Sequence, residues 1–196
     1  MITKKTKGFI VSAAMLLCLN SAHGAETKGD KAVQKDNVSS PAATAAAGTA
    51  TGTLAINPQA TFEEGPDEVN TIKLNYARVQ NTVDLLDKKK KQIRIVLSDL
   101  PISDADMKDS NAVVMLVQTG KLQAVELYLT AAGKPAWGRL LYKMQSRSVD
   151  EETFKFERKQ FDDKTVAGII SAELRNVISN KPKYSLTATF SAPVLR

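Results

Sequence analysis

Along most of the chain, apolar residues recur at every second position in short runs broken by turn-forming residues, the pattern of strands with one buried face. Ile72, Leu74 and Tyr76 alternate with Lys73, Asn75 and Ala77, and Ile93, Ile95 and Leu97 alternate with Arg94, Val96 and Ser98. Residues 113–118 and 121–130 flank Thr119-Gly120, which suits a hairpin with a two-residue connection. Ala131-Ala132-Gly133-Lys134 makes the next turn. It leads into 136–144, where Trp137, Arg139 and Leu141 face one way and Leu140, Tyr142 and Met144 the other. These three runs are expected to form an antiparallel meander. Phe154 and Phe156 alternate with Lys155 and Glu157, Asp162-Asp163 turns the chain into 165–174, and Gly168 permits a bulge or a close strand crossing there. The cleanest alternation comes last, with Tyr184, Leu186, Ala188 and Phe190 set against Ser185, Thr187, Thr189 and Ser191, before Pro193 is expected to stop the ladder.

Helical signals are few. Ser103, followed three residues later by Asp106, can cap a short helical turn through Asn111, and Val79, Val83 and Leu86 have helix-like spacing. Eight or nine strands at intervals of about ten residues give an all-β fold, expected as a single antiparallel β-sandwich. The layout is similar to exported immunoglobulin-like sandwiches in broad architecture alone, because the Cys–Trp–Cys hallmark is absent.

The N-terminal quarter lacks the alternation. Lys4, Lys5 and Lys7 precede an apolar run at 9–19 that is too short to span a bilayer, and the small-residue site Ala22-His23-Gly24 stands before Ala25. This is the arrangement of a secretory signal peptide over 1–24. Residues 25–52 pass from mixed charges to an Ala/Thr/Ser-rich low-complexity stretch and are expected to be a disordered spacer. The β domain is expected over 53–196, in a periplasmic or secreted protein. No second stretch is long and apolar enough to span a bilayer once the leader is cleaved.

Composition then narrows the chemistry. The only cysteine, Cys18, and the only histidine, His23, lie in the leader. A processed chain would have no disulfide, thiol nucleophile, imidazole acid–base chemistry or Cys/His metal site, so no cofactor and no metal is expected. The chain has 27 basic and 21 acidic residues, and losing three leader lysines lowers its net charge from +6 to +3. Nucleic acid is not an expected partner, since its binders cluster their bases on one face.

Carboxylates remain, at Glu63-Glu64-Asp67, Asp104-Asp106-Asp109, Asp150-Glu151-Glu152 and Asp162-Asp163. A carboxylate-based hydrolase of envelope polysaccharide would need two of them converging across a sugar cleft, but all four clusters fall in expected turns or links. Asp104, Asp106 and Asp109 present oxygen ligands of the kind calcium takes, yet without the EF-hand spacing, and helix capping accounts for them. Ser98, Ser103 and Ser146 lack the motif of a Ser–Lys nucleophile.

The candidate binding residues are Lys88, Lys89, Lys90 and Lys91, the densest charge run, with Arg94 and Lys73 on nearby strands able to enlarge the patch, and Trp137 beside a turn proline. Such a run suits anionic lipid, lipopolysaccharide or an acidic protein. Residues 183–190 would offer a docking edge if unpaired. The expected function is therefore an exported, non-enzymatic binding or interaction module of the bacterial cell envelope that recognises a protein or glycan.

Overall fold

The period-two runs become nine strands: β1 (Gly48–Ile56), β2 (Asn70–Val83), β3 (Lys91–Ser98), β4 (Ala124–Thr130), β5 (Pro135–Tyr142), β6 (Gln145–Asp150), β7 (Phe154–Phe161), β8 (Thr165–Arg175) and β9 (Pro182–Leu195). Two short helices, α1 (Asp104–Lys108) and α2 (Ala112–Gln118), join β3 to β4. The computed structural model describes residues 48–57, 69–109, 111–143, 145–175, 180 and 182–195. The expected leader, the spacer up to residue 47 and the acids Glu63, Glu64 and Asp67 lie outside the described residues.

All nine strands join one sheet in the order β6-β5-β4-β3-β2-β1-β9-β8-β7. The all-β, antiparallel architecture with its expected number of strands is present, and no division into two sheets marks the described residues. Because β1 pairs antiparallel with both β2 and β9, those two strands run in the same sense. Beyond the start of β1 they meet directly in a short parallel ladder, Val79 beside Val194 and Gln80 beside Leu195. Following the strand senses around the sheet shows that β6 and β7, at opposite edges, also run the same way, with only residues 151–153 between them. The chain passes from one edge to the other without reversing, which is possible only because the sheet is strongly curled. The curl sets the β4–β5 turn against the end of β7, where a methyl group added at Gly133 would lie 3.3 Å from the Phe161 ring.

One face of every strand lines the interior of the curl. Leu54, Leu74, Ile95, Leu127, Leu140, Val166 and Ile170 are completely buried there, each worth roughly 1.5–3 kcal/mol against exposure. A second cluster forms on the outer face, where Val96, Ala124 and Leu141 of the sheet receive Met107 of α1 and Val113 and Val117 of α2.

Several local expectations are corrected. Residues 112–118 form α2 instead of a strand, so the Thr119-Gly120 hairpin and the expected three-strand meander do not exist. Val113 and Val117 lie four apart and share one buried face, and Gly120, at φ 71°, ends the helix. Its N–H donates to the Val117 carbonyl and that of Lys121 to the Leu116 carbonyl, the bonding of a glycine-terminated helix. Val79 and Val83 belong to β2, so their helical spacing with Leu86 has no structural counterpart. Ser103 does cap a helix, its Oγ accepting from the Asp106 N–H at 3.1 Å.

Two boundaries also move. Residues 48–52, placed with the spacer by composition, are the first five residues of β1. Their small size is a packing requirement, because a Cβ at Gly52 would lie 2.4 Å from the Ala188 methyl and one at Gly48 2.2 Å from that of Ala192. Pro193 does not end β9, which runs on to Leu195. The proline falls where β9 leaves β1 for β2, so no ladder donor is missed.

Candidate functional site

The β2–β3 hairpin carries the lysine run, and local hydrogen bonding fixes its loop. Asp84 Oδ1 accepts from the N–H groups of Leu86 and Asp87, both at 2.9 Å, and Oδ2 accepts from Gln92 Nε2 at 2.8 Å. The Asp87 N–H, followed by that of Leu86, holds the Asp84 carboxyl below the usual carboxylate range. The ladder continues into the loop, with the Asp84 N–H donating to the Lys90 carbonyl and the Lys90 N–H to that of Asp87. Asp87 Oδ1 accepts from the Lys89 N–H at 3.2 Å.

This ordered tip holds Leu86 at 100% exposure and Leu85 at 71%, followed after Asp87 by exposed Lys88, Lys89, Lys90 and Lys91. Lys90 Nζ lies 3.8 Å from Asp87 Oδ2. At the base of the hairpin a cavity of about 290 Å³ is bordered by Asn81, Lys91, Gln92, Phe161 and Asp163. Nearby Asp162 is turned into its own β7–β8 turn, its Oδ1 accepting from the N–H groups of Lys164 and Thr165 and its Oδ2 from Gln160 Nε2. The Gln160 bond, ahead of those N–H groups, lowers its pKa.

Arg94 does not join the lysine patch. It is 3% exposed, on the outer face of β3 beneath α1, in a register that brings Arg94 beside Tyr128 and Trp137 and sets Glu126 beside Arg139. Glu126 is completely buried. Its Oε1 accepts from Arg94 Nε at 2.5 Å and from the Tyr128 hydroxyl at 2.9 Å, and its Oε2 accepts from Arg139 Nε. Arg94 Nη1 donates to the Met107 carbonyl at 2.8 Å, tying α1 to the sheet, and Arg78 of β2 pairs with Asp104 at the first position of that helix. Burial, followed by the charge of Glu126, pushes the Tyr128 hydroxyl far above its ordinary pKa.

Trp137 packs here too. Its ring stacks on Tyr128 with centroids 3.9 Å apart and planes 11° from parallel. Lys73 pairs with Thr53 far along β2 from the hairpin tip and does not extend the patch.

The other sequence candidates disperse. Asp106 belongs to the Ser103 cap, and Asp109 Oδ1 accepts from the Asn111 N–H. Among the described residues no three His, Cys, Asp or Glu side chains come together as a metal site. Glu152 and Glu173 line one groove of about 420 Å³ beside β8 and β9, but Glu173 is ion-paired with Arg175 at 2.6 Å. The expected docking edge at 183–190 is closed, since β9 is bonded to β1 on one side and β8 on the other. Among the described residues the edge strands of the sheet are β6 and β7, and β7 carries Lys155, Glu157, Arg158 and Lys159 together with a bulge between Arg158 and Gln160. Charges and bulges of this kind oppose strand addition.

Leu85 and Leu86 are the residues that sequence reasoning missed. Their signal was an apolar pair separated by one aspartate from a lysine run, with no alternation to bury it. No protein-family model, curated protein or solved structure matches the chain in comparisons with all three.

Proposed function

We propose that the chain is a non-enzymatic binding module of the bacterial cell envelope, exported by its N-terminal leader and engaging its partner through the β2–β3 hairpin. The observation that carries this reading is an internally bonded loop that keeps two consecutive leucines in water beside four lysines. Isolated apolar side chains on a surface are ordinary, whereas a contiguous exposed pair held by a defined loop marks an interaction surface. Its preorganisation lowers the entropy lost on binding. Among the described residues, Glu126 is enclosed by two arginines and Asp84 and Asp162 serve as acceptors for their own turns, arrangements that do not favour a hydrolytic reading.

The test is sedimentation of the protein with isolated bacterial envelopes. The wild type is expected in the pellet. A variant carrying Leu85→Ala, Leu86→Ala and glutamine at each of Lys88–Lys91 is expected in the supernatant with its melting temperature unchanged. Equal sedimentation of the two proteins would remove the hairpin from the function.

A further inference from the structure

We infer that the surface met by the β2–β3 hairpin is an anionic phospholipid bilayer, with Leu85 and Leu86 entering the headgroup–acyl boundary and Lys88–Lys91 lying among lipid phosphates. The inference rests on the binding reading above and names its partner. The chemistry of the tip selects this partner because its two halves demand different surroundings from one contact. Leu86 is fully exposed and Leu85 nearly three-quarters so, and both gain only where water is excluded. The adjoining four lysines gain where anionic charge is dense, as on a leaflet rich in acidic lipid. A bilayer interface supplies both within a few ångströms of depth, and an apolar face beside a basic one is the composition of segments that lie in that interface.

The acids at the tip do not cancel this pairing. Asp84 and Asp87 are directed into the loop as acceptors for the N–H groups of Leu86, Asp87 and Lys89, and the segment keeps four lysines against these two carboxylates. Lysine suits diffuse contact with many headgroups, since its ammonium is a mobile point charge without the fixed fork of arginine. Within the 84–90 turn the N–H groups of Asp84, Leu86, Asp87, Lys89 and Lys90 are already bonded inside the loop, which lowers the cost of bringing its backbone to the edge of the apolar layer.

The full chain is tested by flotation with vesicles of phosphatidylcholine alone and of phosphatidylcholine mixed with phosphatidylglycerol. Binding is expected to the mixed vesicles and to weaken steeply with added salt. Alanine at Leu85 or Leu86 should weaken it about tenfold each, and glutamine at each of Lys88–Lys91 about fivefold per lysine. All variants share one leader, so these differences report the hairpin alone. Leu86→Trp supplies a second readout, because its fluorescence should be quenched by brominated acyl chains beyond any quenching seen for Trp137 in the wild type.

Equal binding of wild type and hairpin variants to the mixed vesicles, or no extra quenching for L86W, would overturn the inference. Hairpin-dependent sedimentation with envelopes but no binding to phosphatidylglycerol vesicles would also overturn it, while leaving the binding function in place and pointing to an envelope protein, glycan or lipopolysaccharide.

Discussion

Glu126→Gln is the sharpest probe of how the outer face of the sheet is held together. The side chain is completely buried and accepts from two arginines and a tyrosine. The substitution changes almost no volume, so its effect is electrostatic. It leaves Arg94, 3% exposed, without a counter-ion, and it replaces one acceptor oxygen by a donor facing a donor. Removing one partner from a buried pair costs about 3–5 kcal/mol, most of it the desolvation of the charge left behind. Arg139 moderates the loss, because a quarter of its side chain reaches solvent and can be hydrated in place. We therefore expect the lower part of that range, about 3 kcal/mol, out of a total stability of roughly 5–15 kcal/mol. For a domain of this size that corresponds to a fall in melting temperature of about 6–12 °C. The assay is urea unfolding followed by circular dichroism, repeated for Arg139→Gln and for the double variant. Arg139→Gln alone should cost less, about 1–2 kcal/mol, because Arg94 and Tyr128 still hold Oε1 and Arg94 still neutralises the charge, while Oε2 loses its partner. A Glu126→Gln protein within about 1 kcal/mol of wild type would refute the claim that this carboxylate neutralises the buried arginine.

Other consequences follow from the same geometry. A chain beginning at Gly48 should fold, whereas one beginning at Thr53 should lose cooperative melting, because it strips Ala50 from the core and half of the bonding partners of residues 188–191 of β9. Gly52→Val should cost about 2–3 kcal/mol by forcing β1 away from Ala188, read from the urea midpoint. Asp84 and Asp162 have folded pKa values below their unfolded ones, so their stabilising effect is complete above about pH 4 and is lost as pH falls through the folded values. Asp84→Asn should flatten that acid limb in a pH series of melting temperatures. At the other extreme, Tyr128 and Tyr184 have raised folded values, chiefly through burial, so stability is present below about pH 10 and lost as pH rises. In an alkaline absorbance titration both should ionise above the range of a free tyrosine.

The strands that alternate were legible because each exposes one face and buries the other. β3, β5, β8 and β9 stand where the spacing of Ile93, Leu140, Ile170 and Leu186 puts them. Failures came where residue type and role part company. The run Ala112 to Gln118 is rich in β-branched residues, yet it must cover an apolar patch on the outer face, and a short helix presents Val113 and Val117 to that patch together. β6 was invisible because it is a polar edge strand with one buried apolar residue, Val149. The buried charges were legible singly and not as a group, since only the β3–β4–β5 register sets Glu126 beside Arg139 and Arg94 beside Tyr128. Local propensity carries no information about that register. The lysine run was visible in the sequence, but the leucines before it were not, because exposure is a property of the fold.

The hairpin and the buried cluster are joined through one strand, β3. Gln92 reaches back to Asp84 in the loop at 2.8 Å, and two residues later on the same face Arg94 is clamped by Glu126 and by the Met107 carbonyl. β3 is also bonded along its length to both β2 and β4. The tip therefore has little freedom to fold back and bury Leu85 and Leu86 against the sheet, a collapse that a loose loop of equal composition would be free to make. Keeping these leucines in water costs the isolated protein roughly 1.5–3 kcal/mol for each. In the proposed binding role that cost is recovered on contact with an apolar partner, and the rigidity of β3 would convert a local instability into affinity for a surface. It follows that loosening the anchor, as Asp84→Ala would do by removing the acceptor for Leu86, Asp87 and Gln92, should weaken envelope binding by about two- to tenfold even though no residue in contact with the partner has changed.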